Sequence, residues 1–81
     1  MATCIINNKS NHAFVLYEEL IKQGVVLIFD SNNKFLFSAP IQNTNSIKLS
    51  FHDISGKIKL ITFYNDTKLT KEIHIGKEQN N

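Results

Sequence analysis

Apolar and polar residues alternate along the C-terminal two thirds of this chain, and the alternation restricts the fold more than any other feature. Between residues 46 and 51, Ile47, Leu49 and Phe51 alternate with Lys48 and Ser50. Successive side chains of a β-strand point to opposite faces, so this pattern is typical of a strand with one buried face. Turn-forming residues recur about every eight to twelve positions, which favours a sandwich or barrel of short strands.

The N-terminal third supports two interpretations. Apolar residues occur at helical spacing there, at Ala13, Leu16, Tyr17, Leu20 and Ile21. This spacing predicts one helix at about residues 12–23, which Gly24 would end, in an α+β fold. In the alternative, residues 12–17 form a strand with Phe14 and Leu16 facing inward, and residues 18–23 form a loop. The periodicity alone does not decide between them.

Length and composition limit the classes of function. The 81 residues are enough for one domain, predicted over residues 1–76 with a polar tail at 77–81. A hydrophobic fraction of 42% and a charged fraction of 20% are ordinary for a globular domain. The single cysteine, Cys4, excludes an intramolecular disulfide framework. The longest apolar run, residues 25–29, is too short to span a membrane, so we predict no membrane insertion.

Lysines on the last two predicted strands suggest a basic surface. Lys57, Lys59, Lys68 and Lys71 lie near Phe63 and Tyr64, an arrangement that single-stranded nucleic acid could use. Lysines on outer strands also prevent sheets from pairing edge to edge. All nine basic residues are Lys, and Arg is the commonest specific reader of guanine. We therefore favour edge protection and predict no nucleic-acid partner.

The sequence contains no convincing catalytic or metal-binding motif. His12, His52 and His74 are far apart, and only His52 has a neighbouring carboxylate, Asp53. Cys4 lies beside Ile5 and Ile6 with no base nearby in sequence. We therefore predict no catalytic residue, no metal site, no cofactor and no enzymatic activity.

The chain has Val-Leu-Ile-Phe-Asp at residues 26–30, a turn at 31–34, Ile-Lys-Leu-Ser at 47–50 and a Lys-rich segment at 70–75. This order of motifs resembles the type A C-terminal sorting domain of Bacteroidetes type IX secretion substrates. That family has a strand of the type Val-x-Ile-Phe-Asp, then a turn, then an Ile-x-Leu-Ser strand. The corresponding segments here are residues 26–30, 31–34 and 47–50, and the final Lys-rich strand corresponds to residues 70–75. In the family's opening Tyr-Pro-Asn-Pro-like motif, Asn7 and Lys9 stand at the two proline positions and Asn8 matches.

The resemblance implies an all-β fold, a small immunoglobulin-like sandwich of about seven antiparallel strands. It favours a strand over a helix for residues 12–17. The predicted strands cover residues 3–6, 12–17, 24–30, 34–38, 46–51, 57–64 and 68–75. In the last strand, Leu69, Ile73 and Ile75 are expected to face inward.

The function that follows is a non-enzymatic protein-interaction or structural domain, recognised through its folded surface and an edge strand. The resemblance implies secretion sorting or surface assembly, and hence an exported or cell-surface location. The alternative is a small cytoplasmic binding protein or a phage-encoded inhibitor that docks on a host protein. The partner is a protein, with a second copy of the chain as one candidate. The predicted partner-binding residues are Lys68, Thr70, Glu72, His74, Ile61 and Phe63. Val26 and Ile28 are expected on the same outer face as Ile61 and Phe63, and either residues 18–23 or a partner would cover that face.

Overall fold

The structure, a computed structural model, describes residues 4–9 and 11–75. Within these residues it contains five strands and no helix, which confirms the all-β prediction. The strands are β1 (Cys4–Lys9), β2 (His12–Phe29), β3 (Phe35–Ser50), β4 (Gly56–Tyr64) and β5 (Thr67–Ile75). All pairings are antiparallel, in the order β1-β2-β4-β5, with β3 on the other side of β2. Thr3 and the predicted tail 77–81 lie outside the described residues.

Two long strands replace four of the predicted ones, so the sheet has five strands rather than seven. β2 joins the predicted strands 12–17 and 24–30, and β3 joins 34–38 and 46–51. Residues 18–23 continue β2, so both the loop and the helix expected there are wrong. Within this stretch the β2–β3 register shifts, and residues 17–20 lie opposite the single residue Asn45. Such a bulge bends a strand without ending it.

The sheet curls at this bulge, so its inner face encloses the core. The N-terminal half-sheet consists of β1 with residues 12–17 and 46–50, and the C-terminal half-sheet consists of residues 23–29 and 35–42 with β4 and β5. The Tyr17 and Thr62 hydroxyls are 2.8 Å apart and join the two half-sheets. The rings of Phe37 and Phe51 contact each other with their centroids 5.7 Å apart.

Side-chain direction in the first part of β2 is opposite to the prediction. Ala13, Val15 and Tyr17 are buried, whereas Phe14 and Leu16 are exposed. In β5, Ile75 is buried, and Leu69 and Ile73 are partly buried and pack against the core, as expected. The other fully buried apolar residues include Ile21, Val26, Ile28, Ile41, Phe51 and Ile58.

The turns have backbone geometry that their sequences favour. Between β2 and β3, the Asp30 carboxylate accepts the backbone N–H groups of Asn32 and Lys34 at 2.8 and 2.9 Å. Between β4 and β5, Asn65 and Asp66 both have positive φ, 47° and 61°. Two central residues with positive φ are typical of the tightest hairpins, because the turn then matches the twist of its strands. This turn fixes the register of β5 on β4.

Candidate functional site

The outward face of β4 and β5 carries all six residues that were predicted to bind a partner. These residues are Ile61, Phe63, Lys68, Thr70, Glu72 and His74. The register places Phe63 opposite Lys68 and Ile61 opposite Thr70, so the two apolar side chains adjoin the polar row of β5. Directly opposite residues of an antiparallel pair share a face. The prediction that this surface binds a partner remains a prediction.

Strand β2 extends this surface with further apolar side chains. Leu27 lies opposite Ile61, and Val25 lies opposite Phe63. Val26 and Ile28 were expected on this face, but both are buried on the inner face. We name the outward apolar surface the apolar patch, formed by Val25, Leu27, Phe29, Phe35, Ile61 and Phe63.

The apolar patch remains partly open to solvent. Phe63 is 40% exposed and Phe35 is 51% exposed. The ring of Phe35 contacts the ring of Phe29, with the centroids 5.7 Å apart. Residues 18–23 were expected to cover this surface, but they continue β2 instead. An apolar area of this kind, with polar residues beside it, is typical of an interaction site.

Charged and polar groups of β4, β5 and the β2–β3 turn border the apolar patch. Lys57 and Glu72 approach to 4.0 Å, and the Lys59 ammonium donates a 2.8 Å hydrogen bond to the Asn33 side chain. An exposed ion pair of this kind contributes at most about 1 kcal/mol. A neighbouring polar pocket of about 360 Å³ is lined by Asp30, Ser31, Asn33, Lys57, Lys59 and Glu72. The border is therefore polar and mixed in charge.

The far edge of β5 is open within the described structure. All nine residues of β5 pair with β4, and none of the described strands pairs with the opposite edge. Strand β1 approaches β5 but does not pair with it in the described residues. Unpaired N–H and C=O groups along such an edge can bind another strand.

A buried cluster of Cys4, Tyr17 and Tyr64 lies on the inner face of β1, β2 and β4. The rings of Tyr17 and Tyr64 meet edge to face, with the centroids 6.2 Å apart. Burial raises the pKa of the Cys4 thiol, and the nearby Lys71 ammonium offsets part of that effect. The thiol therefore stays protonated near neutral pH, and a protonated thiol is a poor nucleophile. This geometry makes Cys4 a small buried side chain of the core.

The Tyr17 hydroxyl should make stability depend on alkaline pH. Burial raises the pKa of Tyr17 to about 12, against about 10 for an unfolded tyrosine. The stabilisation is complete below about pH 10 and is lost as the pH rises from about 10 to about 12, since the unfolded chain loses this proton first. We expect Tyr17→Phe to flatten the fall in the free energy of unfolding between about pH 10 and about pH 12, measured by urea titration. Because burial also raises the pKa of Tyr64, some dependence should remain. An unchanged slope would contradict the assignment to Tyr17.

A second apolar surface lies on the outside of the N-terminal half-sheet. Ile5 is 68% exposed, and Phe14 and Leu16 are about half exposed. The Lys48 ammonium lies 5.9 Å from the centre of the Phe14 ring. This surface could not be predicted from alternation, because residues 13–17 are apolar at every position and the two faces do not differ in polarity.

The three histidines do not converge. His52 and His74 are exposed, and His12 is partly buried at the start of β2. Across residues 4–9 and 11–75, no group of three or more His, Cys, Asp or Glu could hold a metal ion.

No helix in the described part of the chain is long and apolar enough to cross a membrane. No protein-family model matches the chain, and comparison with curated proteins finds no significant similarity.

Proposed function

We propose that this chain is a non-enzymatic protein-interaction domain that binds its partner through the apolar patch, the outward side chains of β5 and the β5 edge. The supporting observation is that these three features are continuous. Phe63 pairs with Lys68 across β4 and β5, and no described strand pairs with the far edge of β5 beside them. A partner strand can take main-chain hydrogen bonds from such an edge, while alternate side chains provide selectivity.

Phe63 is the anchor residue in this proposal. It is the most exposed apolar residue on β4 and stands next to Lys68. Aromatic residues are enriched in the small set of side chains that carry most of the binding energy in interfaces. A pocket of about 460 Å³ beside it is lined by Phe63, Tyr64, Asn65, Asp66, Thr67 and Lys68. A partner side chain could enter this pocket and contact both the aromatic ring and the ammonium group.

The resemblance to type IX sorting domains narrows the proposal to a secretion-sorting or surface-assembly module with an immunoglobulin-like sandwich. Contacts between the half-sheets, through Tyr17 with Thr62 and Phe37 with Phe51, support the sandwich. In a sorting domain, the apolar patch and β5 would be presented to the export machinery.

Phe63→Ala should weaken partner capture by about tenfold or more, whereas Phe14→Ala should leave it unchanged. The two residues form a matched pair, because Phe14 is 47% exposed and Phe63 is 40% exposed on different half-sheets. The measurement is capture from the native host with immobilised domain, followed by titration of the captured protein. In a type IX-competent bacterium, Phe63→Ala should likewise reduce transport of a fused reporter to the cell surface, and Phe14→Ala should leave it unchanged. Equal binding by both variants would exclude the apolar patch as the contact surface.

A further inference from the structure

We propose that the open edge of β5 pairs with β5 of a second copy of this chain, in an antiparallel contact centred on Thr70. This identifies one partner of the edge and rests on the proposed function, in which that edge binds protein. A two-fold axis perpendicular to the sheet relates the two strands and keeps their outward faces on the same side. Outward residues of one copy then stand opposite outward residues of the other.

The charge pattern of β5 is self-complementary about Thr70. Lys68 and Glu72 lie two positions before and after Thr70 on the same face, and all three are exposed. In the paired strands, each Lys68 faces Glu72 of the second copy, and Thr70 faces its own counterpart. Opposite charges and threonine pairs directly across an antiparallel ladder are both stabilising. The symmetry produces each Lys–Glu pair twice.

Other registers of the same two strands lack this complementarity. Centring on Lys71 places that lysine against its own counterpart, and centring on Glu72 does the same with two carboxylates. Like charges directly opposite each other are destabilising. Centring on Leu69 places Lys68 opposite Thr70 and forms no ion pair. A shift by a single residue would place inner-face side chains on the outward face. Lys71 therefore selects the register instead of preventing the pairing.

The contact would also enlarge the binding surface. Pairing at β5 continues the order β2-β4-β5 into the β5-β4-β2 of the second copy, so both apolar patches lie on one side of a single sheet. Lys57 remains beside Glu72, because it belongs to β4 on the other side of β5. The dimer would therefore present two copies of the same site to a partner, and the two sites together would bind a repetitive partner more tightly than either alone.

Charge reversal on β5 tests both the contact and its register. We expect the wild-type chain to show a monomer–dimer equilibrium in analytical ultracentrifugation between about 1 μM and about 1 mM. Lys68→Glu and Glu72→Lys should each weaken dimerisation by about tenfold or more, because each change acts twice in a two-fold contact. An equimolar mixture of the two variants should restore dimers, since each chain then supplies the charge that the other lacks.

Controls separate this contact from general effects of charge and from the proposed function. Lys34→Glu, in the β2–β3 turn, reverses a charge away from β5 and should leave dimerisation unchanged. Thermal melts show whether each variant is folded. A wild-type chain that stays monomeric to about 1 mM, or a mixture that does not restore dimers, would overturn the self-pairing. Neither outcome affects the capture experiment with Phe63→Ala, which tests the partner-binding proposal on its own.

Discussion

Phe51→Ala should lower the free energy of unfolding by about 3–5 kcal/mol, through lost burial and the cavity that remains. Phe51 is fully buried directly after β3, and its ring contacts Phe37 of the C-terminal half-sheet. Its backbone N–H donates a 2.8 Å hydrogen bond to the Asn11 carbonyl, so the residue is held in place and the site collapses poorly when the ring is removed. Native proteins are stable by only about 5–15 kcal/mol, so the variant would lose much of its stability.

Phe63→Ala is the matched control for this change. The same atoms are removed, but Phe63 is 40% exposed on the outward face, so the loss should stay below about 1 kcal/mol. Urea unfolding followed by circular dichroism measures both variants. Equal losses would mean that the inner and outer faces of the sheet have been assigned wrongly.

Alternation predicted the later strands well because their two faces differ in polarity. Residues 57–64 and 68–75 were placed on adjacent strands, and the structure has β4 and β5 over nearly the same residues. Alternation within the last strand also placed Lys68, Thr70, Glu72 and His74 on one face. Their position beside Phe63 then follows from the short turn at Asn65 and Asp66, which the sequence indicated.

Strand length was not predictable from the same local signals. Residues 18–23 and 39–45 are polar or contain proline, and such residues usually mark loops. In the structure they continue β2 and β3, and most of their side chains are exposed, although Ile21 and Ile41 are buried. Pro40 is tolerated because β3 pairs with β2 alone among the described strands, and a proline can lie on such an edge. Only the long-range pairing of β2 with β3 shows that these segments remain extended.

Side-chain direction in β2 could not be predicted where both faces are apolar. Between residues 25 and 29 every position is apolar, so Val26 and Ile28 were assigned to the outward face in place of Val25 and Leu27. The buried positions of β2 are odd-numbered up to Ile21 and even-numbered from Val26 onward. Gly24 lies between these two residues, and the sequence indicated only that it could end a helix.

Gly24→Ala should lower the free energy of unfolding by about 1–3 kcal/mol through steric overlap. An added Cβ would lie 2.8 Å from the Phe63 carbonyl oxygen and 3.0 Å from the Tyr64 Cβ. Gly24 pairs with Tyr64 at the first position of the β2–β4 ladder, so the methyl group would force these strands apart.

Gly56→Ala provides the contrast, because Gly56 has a φ of +100° and open space around it, so any cost there arises from the backbone alone. Hydrogen exchange should therefore show lost protection along the β2–β4 ladder in Gly24→Ala and not in Gly56→Ala. Unchanged stability in Gly24→Ala would mean that β2 and β4 are less closely packed than the structure shows.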